Sequence, residues 1–353
     1  MINRIKSLDV LRGLTVILMT VGHMYYFWTR GFNNIYGKII FFIVVIGTPF
    51  FPIMAGFSYY IYINKKIKDS FSRVEIFKEV IKRATLIYLI SVLVLVMFGF
   101  TLSLKFTSFV YWNIFQIIAF SMVIFFIIPF LKQNIRRILC LCLFFFIFLI
   151  AHIIIVNKIE FLYVFVLQGS FPFLPWGNFF LFGVICSDLI LNSSENQISI
   201  ILEFFSLIGI TLITCYFLWF VNFDYLYLSI FFKNLGIFLL SFSILYLLLD
   251  IKDYNFFFQR RLSEWGVMAF SLYYIQFAII VVGLMIFPLI ITDFTSHLFS
   301  IHEYLLVITL SIVFIDIFLR IWKKFNYFLG IEWIINKFSP KSQFSKEIQK
   351  QNS

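Results

Sequence analysis

The sequence predicts an all-α, polytopic integral membrane protein with about ten transmembrane helices. Hydrophobic residues make up 62% of the chain and charged residues only 13%, and the mean hydropathy is +0.99. A soluble domain carries about 25% charged residues. The apolar residues also fall into runs of about 20, the length that crosses the hydrocarbon core as a helix. Composition and run length together indicate a bundle of membrane-spanning helices.

The apolar runs predict ten spans separated by short polar connections. In chain order these spans cover residues 8–28, 39–63, 84–104, 108–131, 138–156, 172–191, 200–222, 226–249, 265–290 and 303–322. We expect residues 1–338 to form a single transmembrane domain and the polar residues 339–353 to form a disordered tail. The segments Lys65–Arg83 and Gly330–Phe338 are predicted to be amphipathic helices on the inner membrane surface.

Basic residues are distributed unevenly between the two sides that these spans define. Most of the 28 Lys and Arg residues fall at the N-terminus, in even-numbered connections and in the tail. The positive-inside rule makes this side cytoplasmic, so both termini of a multi-pass plasma-membrane protein are predicted to be cytoplasmic. The net charge of +11 then reflects topology and contact with anionic lipid. Nucleic acid is not an expected partner.

The first predicted span differs from the others because it carries several ionisable residues. Asp9, Arg12 and His23 interrupt its apolar run, and such groups inside a span usually mark a functional interior. On a helix that advances about 100° per residue, Arg12 and His23 point within about 20° of each other and lie roughly 16 Å apart along the axis. The span therefore has one polar stripe, with Asp9 and Arg12 near its cytoplasmic end and His23 in its outer half.

Five segments carry a resemblance to a known family. Residues 4–23, RIKSLDVLRGLTVILMTVGH, resemble the opening of prokaryotic membrane proteins related to heparan-alpha-glucosaminide N-acetyltransferase, within the ten-helix transmembrane acyltransferase superfamily. Four further segments follow in the order expected for that family: PFFPIMAGFS at Pro49–Ser58, WNIFQIIA at Trp112–Ala119, FPFLPWGNFFLFG at Phe171–Gly183, and AFSLYYIQ at Ala269–Gln276. The resemblance covers most of the chain to about residue 290.

This resemblance implies a membrane acyltransferase. The donor would be cytoplasmic acyl-CoA, most simply acetyl-CoA, and the acceptor would be a hydroxyl or amine of a glycan or glycolipid on the outer side. No metal is expected. The family often has His where this chain has Gln276. This difference leaves a third alternative, in which the protein keeps the fold but serves as a non-catalytic membrane partner. A transporter or flippase for a lipid-linked or anionic solute is the main alternative, because a polar stripe also suits a translocation path. Its usual signs, paired broken helices and several intramembrane acids, are not evident in the sequence.

Within the implied reaction, His23 is the candidate general base, because an imidazole titrates near working pH and can deprotonate the acceptor. A structural histidine held by hydrogen bonds is the alternative. Asp9 and Arg12 stand at i and i+3 and can pair. They form either a helix-end salt bridge or a donor site, in which Asp9 holds Arg12 against the phosphates of acyl-CoA. Arg83 is a second phosphate candidate, although the positive-inside signal also explains it.

Five further residues are candidates for substrate binding. Trp112, Asn113 and Gln116 share the fourth predicted span, where they either line an acceptor pocket or make interhelical hydrogen bonds. Trp176 either lies in an interfacial aromatic belt or stacks on a sugar. Gln276 either contacts substrate or bonds a neighbouring helix.

The remaining polar and thiol residues have structural interpretations. Asp316 and Arg320, at i and i+4, are predicted to pair on the last span. The cysteines lie in apolar runs without disulfide or zinc spacing, so buried apolar packing is the expected role of all four. They are Cys140, Cys142, Cys186 and Cys215.

Overall fold

The computed structural model describes residues 5–29, 35–102, 112–156, 171–220, 226–290 and 301–338. Within these ranges the chain forms helices and no strand, so the predicted all-α class is confirmed. In chain order the helices are α1 (Lys6–Thr29), α2 (Ile35–Gly47), α3 (Phe50–Lys68), α4 (Arg73–Leu102), α5 (Ile114–Ile124), α6 (Gln133–Val156), α7 (Phe173–Leu191), α8 (Glu195–Cys215), α9 (Leu226–Tyr246), α10 (Gln259–Val267), α11 (Ala269–Ile290), α12 (Ile301–Lys324) and α13 (Ile331–Phe338). The predicted tail, residues 339–353, lies outside the described residues.

Several helices have the length and composition needed to cross a membrane. Among the described residues, five meet both conditions, and a sixth is added if α10 and α11 count as one bent span. The five are Lys6–Trp28, Gln133–Ala151, Glu195–Leu218, Phe231–Ile251 and His302–Lys324. The apolar segments Ile114–Phe130 and Trp176–Leu191 are shorter. The chain is therefore a helical membrane protein, while the count of ten spans and the cytoplasmic termini remain predictions.

The predicted second span, residues 39–63, is wrong as a single helix. The chain turns at Thr48–Pro49, where α2 has ended and α3 has not begun. Proline lacks the N–H that a helix interior needs and disfavours helical geometry in the residue before it. The separate basic helix predicted for Lys65–Arg83 is also wrong. Those residues form the end of α3, a turn, and the start of α4, which begins at Arg73.

The predicted ninth span, residues 265–290, is broken at Met268, where α10 and α11 meet at 85°. The break leaves the first N–H groups of α11 without helical partners. Glu332 supplies the missing acceptor, because its Oε1 accepts from the backbone N–H of Phe270 at 2.8 Å and of Ser271 at 3.2 Å. Its Oε2 also accepts from the Ser271 hydroxyl. A carboxylate from α13 thus caps α11 at the bend.

The chain divides into two compact units. One, here called the α1 unit, joins Arg4–Phe50 to Ser241–Ile334, and the other, the middle unit, contains Phe51–Leu240. The core of the α1 unit is a cluster from α1, α11 and α12, and Tyr304 in this cluster donates to the Val21 carbonyl at 2.7 Å. The buried members of the cluster are Met24, Tyr25, Trp28, Ile280, Tyr304 and Ile308.

The middle unit contains a close crossing of α3 and α7. A Cβ atom on Gly56 would lie 2.0 Å from the Phe180 carbonyl oxygen, and one on Gly183 would lie 1.9 Å from that of Ile53. Only glycine permits two helix backbones to approach so closely, a pattern typical of membrane helix pairs. The two glycines belong to the segments PFFPIMAGFS and FPFLPWGNFFLFG, so the helix crossing gives a packing reason for glycine at both positions.

Candidate functional site

His23 on α1 lies within hydrogen-bonding distance of Gln276 on α11. Nδ1 of the imidazole is 3.2 Å from the Gln276 side-chain nitrogen, and Gln276 is fully buried. Thr20, one turn before His23, contacts the other end of the same amide, with its Oγ1 2.7 Å from Oε1. The Thr20 hydroxyl is also 2.8 Å from the Val16 carbonyl oxygen. The structure therefore brings two predicted site residues, His23 and Gln276, into one polar network.

Aromatic side chains of α11 surround the imidazole. The ring of Phe277 lies 4.7 Å from that of His23, and the ring of Tyr273 lies 5.9 Å away in an edge-on arrangement. Within the described ranges, the second ring nitrogen, Nε2, makes no hydrogen bond. One nitrogen of His23 is thus held by a buried amide, while the partly buried ring keeps a second nitrogen for another contact.

Asp9 and Arg12 form the predicted ion pair, with Arg12 Nη1 donating to Asp9 Oδ1 at 2.8 Å. The Asp9 side chain is 8% exposed and that of Arg12 is 24% exposed. The pair lies where α10 crosses α1, and a Cβ atom on Gly13 would stand 1.9 Å from the Leu262 carbonyl oxygen. The helix-end salt bridge is therefore present, and a role for the pair in donor binding stays a prediction.

Asp250, which the sequence analysis did not single out, caps the first turn of α1. Its two carboxylate oxygens accept from the backbone N–H of Lys6 at 2.7 Å and of Ser7 at 3.0 Å. A carboxylate stabilises the positive end of a helix and satisfies its unpaired N–H groups. Lys6 also pairs with Asp253 through its side chain. No local motif signals this cap, because the two partners are more than 240 residues apart in sequence.

In the middle unit, Asn113 and Gln116 form a capping box at the start of α5. The Asn113 side chain accepts from the backbone N–H of Phe115 and of Gln116, both at 3.0 Å, and Gln116 Oε1 accepts from the Asn113 N–H at 3.1 Å. Ser91 on α4 donates to Asn113 Oδ1 at 2.7 Å, which is an interhelical hydrogen bond. Capping and helix contact thus occupy these two side chains, and acceptor binding by them stays a prediction.

Trp112, Trp176 and Arg83 also belong to the middle unit. The buried Trp112 ring lies 5.7 Å from the ring of Phe173, one turn before Trp176 on α7. The Arg83 guanidinium lies 4.0 Å from the centre of the Tyr62 ring, a distance typical of a cation–π contact. Trp112 therefore packs against the first turn of α7, the helix that also carries Trp176, whereas Arg83 packs against α3.

A buried charge cluster in the middle unit escaped the sequence analysis. Asp188 on α7 is 1% exposed and pairs with both Arg136 and Arg137 of α6, the latter at 2.9 Å. Tyr60 of α3 and Asn192 complete the shell, each donating to Asp188 Oδ1 at 2.7 Å. In the sequence the two arginines stand only among the basic residues that indicate the cytoplasmic side, because their partner lies about 50 residues away.

The last long helix contains the ion pair that its sequence spacing predicts. Arg320 pairs with Asp316 as predicted, with Nε donating at 2.8 Å. Buried packing of all four cysteines is wrong for Cys142, which is exposed on a helix that is long and apolar enough to span a membrane. Among the residues described, no group of three or more His, Cys, Asp or Glu side chains is placed to hold a metal ion.

Comparison with known proteins identifies the family. The family model described as heparan-alpha-glucosaminide N-acetyltransferase, catalytic, matches residues 4–219, a range that includes Asp9, Arg12 and His23 and ends before Gln276. No curated protein and no solved structure matches the chain. The matched range is more than half of the sequence, and the family suggests an N-acetyltransferase activity. The chain belongs to the heparan-alpha-glucosaminide N-acetyltransferase catalytic family.

Proposed function

We propose that this protein moves an acyl group, most simply acetyl, from cytoplasmic acyl-CoA to a hydroxyl or amine of a glycan or glycolipid on the outer side of the plasma membrane. Membership of an acetyltransferase family supports the reaction class. The observation that carries the proposal is the environment of His23. Its ring is held on one nitrogen by Gln276, and the other nitrogen makes no hydrogen bond among the described residues.

The proposed chemistry uses His23 as a general base. The acceptor O–H or N–H donates its proton to the free ring nitrogen as the acceptor attacks the thioester carbonyl. A new C–O or C–N bond forms, the C–S bond breaks, and CoA leaves as a thiolate that is protonated to the thiol. The apolar rings of Tyr273 and Phe277 beside the imidazole would limit competition from water for the same thioester.

The donor end of the proposed path is the cytoplasmic end of α1. Arg12 is suited to CoA phosphates because its guanidinium is permanently charged and presents several donors, and Asp9 would hold it in position. The roughly 16 Å between Arg12 and His23 along the helix matches the reach expected of an extended pantetheine arm. Arg83 is proposed as a further phosphate contact. Trp112, Asn113, Gln116 and Trp176 are proposed to serve acceptor binding.

One observation favours the transporter alternative. Two predicted spans are broken, at Thr48–Pro49 and at Met268, and broken helices often border solute sites in transporters. The two functions differ in one product, because acyl transfer releases free CoA thiol and transport does not.

The test is thiol release from acetyl-CoA by the full-length protein in lipid nanodiscs, with a total glycan extract as acceptor. Wild type, His23→Ala and a matched control, His302→Ala, are compared. His302 is exposed on α12, so its replacement is expected to leave the rate unchanged. Release that requires the extract and is lost only in His23→Ala supports the proposal. Equal release in all three proteins would remove His23 from the mechanism.

Long-chain acyl-CoA donors are tested in the same assay, because the sequence does not define the length of the transferred acyl chain. Absence of thiol release with every donor, together with movement of a labelled solute across proteoliposomes, would replace the acyltransferase proposal by the transporter.

A further inference from the structure

The contacts of Thr20 determine how the Gln276 amide is oriented. Thr20 Oγ1 lies 2.8 Å from the Val16 carbonyl oxygen and 2.7 Å from the atom assigned as Gln276 Oε1. A hydroxyl carries one hydrogen, and a carbonyl oxygen only accepts. If both neighbours were oxygens, one of these short contacts would contain no hydrogen and would be repulsive. Both contacts are favourable only when Thr20 donates to Val16 and the Gln276 nitrogen donates to Thr20.

The orientation of the amide then determines the tautomer of His23. Rotation of the amide by 180° exchanges its oxygen and nitrogen without moving the positions they occupy, and the two atoms are assigned from the hydrogen-bond network. With nitrogen towards Thr20, the amide oxygen stands at the position 3.2 Å from His23 Nδ1. That oxygen can only accept, so Nδ1 carries the proton. A neutral imidazole holds one proton, and Nε2 therefore carries the lone pair.

We infer that Gln276 is a positioning residue that, anchored by Thr20, holds His23 in the Nδ1–H tautomer with Nε2 as the basic nitrogen. The catalytic purpose of this tautomer rests on the proposed acyl transfer, in which Nε2 would take the proton from the attacking hydroxyl or amine. It is also the nitrogen without a hydrogen bond in the described ranges. Thr20 is needed because an amide, unlike a carboxylate, can present either a donor or an acceptor to Nδ1.

The sequence left two roles open for Gln276, contact with substrate or a bond to a neighbouring helix, and its contacts with Thr20 and His23 suit it to hold the imidazole. A wrong histidine tautomer, with geometry otherwise intact, costs about 10⁴-fold in kcat in a serine hydrolase. The Gln276 amide could produce the same wrong tautomer here. If its nitrogen donated to Nδ1, the imidazole proton would lie on Nε2, and Nε2 could not act as the base. The buried hydroxyl of Thr20, itself 0% exposed, selects the productive orientation through its single hydrogen.

The direct test is ¹⁵N NMR of imidazole-labelled full-length protein in nanodiscs, with the His23 signals assigned by their absence in His23→Ala. We expect a protonated-type signal for Nδ1 and an unprotonated-type signal for Nε2. The reverse pattern would overturn the inference. Because NMR detects the tautomer whether or not acyl transfer occurs, an inactive wild type would contradict the proposed function and leave the tautomer assignment standing.

Two variants and their combination separate positioning from general packing. Thr20→Val keeps the shape of the side chain but frees the amide to rotate, so we expect a mixed or reversed tautomer and a fall in kcat of at least about tenfold at unchanged KM. Thr20→Ser keeps the hydroxyl and is the matched control. Gln276→Glu presents an oxygen to Nδ1 in either orientation, so adding Thr20→Val to it is expected to leave the tautomer unchanged.

If Thr20→Val leaves the His23 tautomer unchanged in the Gln276 background, or if it alters the tautomer equally in the Gln276→Glu background, the Thr20 hydroxyl does not orient the amide.

Discussion

Gly266 on α10 approaches Asp9 on α1 so closely that a Cβ atom on Gly266 would stand 1.9 Å from the Asp9 carbonyl oxygen. Gly13 makes the reciprocal approach to Leu262 at the same calculated distance. Two glycines, one on each helix, therefore set the crossing of α1 and α10, as small residues do at many membrane helix pairs. The crossing holds the helix that carries both the Asp9–Arg12 pair and His23.

We predict that Gly266→Ala destabilises the protein by about 1–3 kcal/mol or more, because the added methyl group must push two backbones apart. This cost exceeds the roughly 1 kcal/mol that alanine gains over glycine within a helix. Thermal unfolding in detergent measures the effect. Gly177→Ala is the control, since its Cβ would meet only the Phe173 ring at 3.2 Å. Equal melting temperatures for the two variants would contradict the close crossing.

Asp188→Asn is predicted to lower stability by about 3–5 kcal/mol, because it leaves the buried Arg136 guanidinium without its counter-charge. Asp316→Asn is the matched control, since it breaks an ion pair with Arg320, whose side chain is 54% exposed. Such exposed pairs contribute less than about 1 kcal/mol. The measurement is again thermal unfolding, and a similar loss in both variants would show that burial of the Asp188 cluster does not matter.

Asn113→Ala is predicted to cost about 1 kcal/mol of stability, because the first N–H groups of α5 lose their acceptor. Asn113→Asp keeps the acceptor oxygen and the contact from Ser91, so its stability should equal that of the wild type. Comparison of the two variants by thermal unfolding tests the cap. A higher acceptor KM in the stable Asn113→Asp variant would assign the residue to substrate binding as well.

Glu332 is predicted to make stability depend on pH. Burial raises the pKa of this carboxyl above its usual value, despite hydrogen bonds from Ser271 and Phe270 that favour the charged form. The folded protein therefore binds the proton more tightly than the unfolded chain does. The resulting stabilisation is complete below the unfolded pKa of about 4.3 and is lost as pH rises through the folded pKa.

Glu332→Gln removes this titration while keeping an amide oxygen for the cap. We expect the melting temperature of wild type, measured relative to Glu332→Gln, to fall as pH rises from about 4.3 through the raised pKa of the folded state. A relative melting temperature that rises over that interval would mean that the charged form is favoured in the folded state.

Local sequence was sufficient to predict the long apolar helices and the ion pairs within them. The apolar runs predicted α1, α6, α8, α9 and α12 because helix formation in a membrane follows from length and hydropathy. The spacing of Asp9 with Arg12, and of Asp316 with Arg320, predicted ion pairs that the structure contains, because residues three and four apart meet on a helix surface.

Helix breaks were harder to predict from the same signals. Residues 265–290 contain no charged residue, so their hydropathy predicts one helix that continues through Met268. The structure bends there because Glu332, more than 60 residues later, supplies acceptors for the freed N–H groups of α11. At Thr48–Pro49 the proline indicates a helix break, but the apolar residues on both sides of it predict one continuous span.

The sequence by itself determined that this protein is a helical membrane protein of an acetyltransferase family and that its first helix carries a charged pair and an imidazole on one stripe. Only the tertiary structure decided which partner each polar group receives. Gln276 reaches His23 across 253 residues, and Asp250 reaches Lys6 across 244. The physical reason is that a buried polar group must be satisfied by whatever the packed helices place beside it, and no local spacing encodes that neighbour.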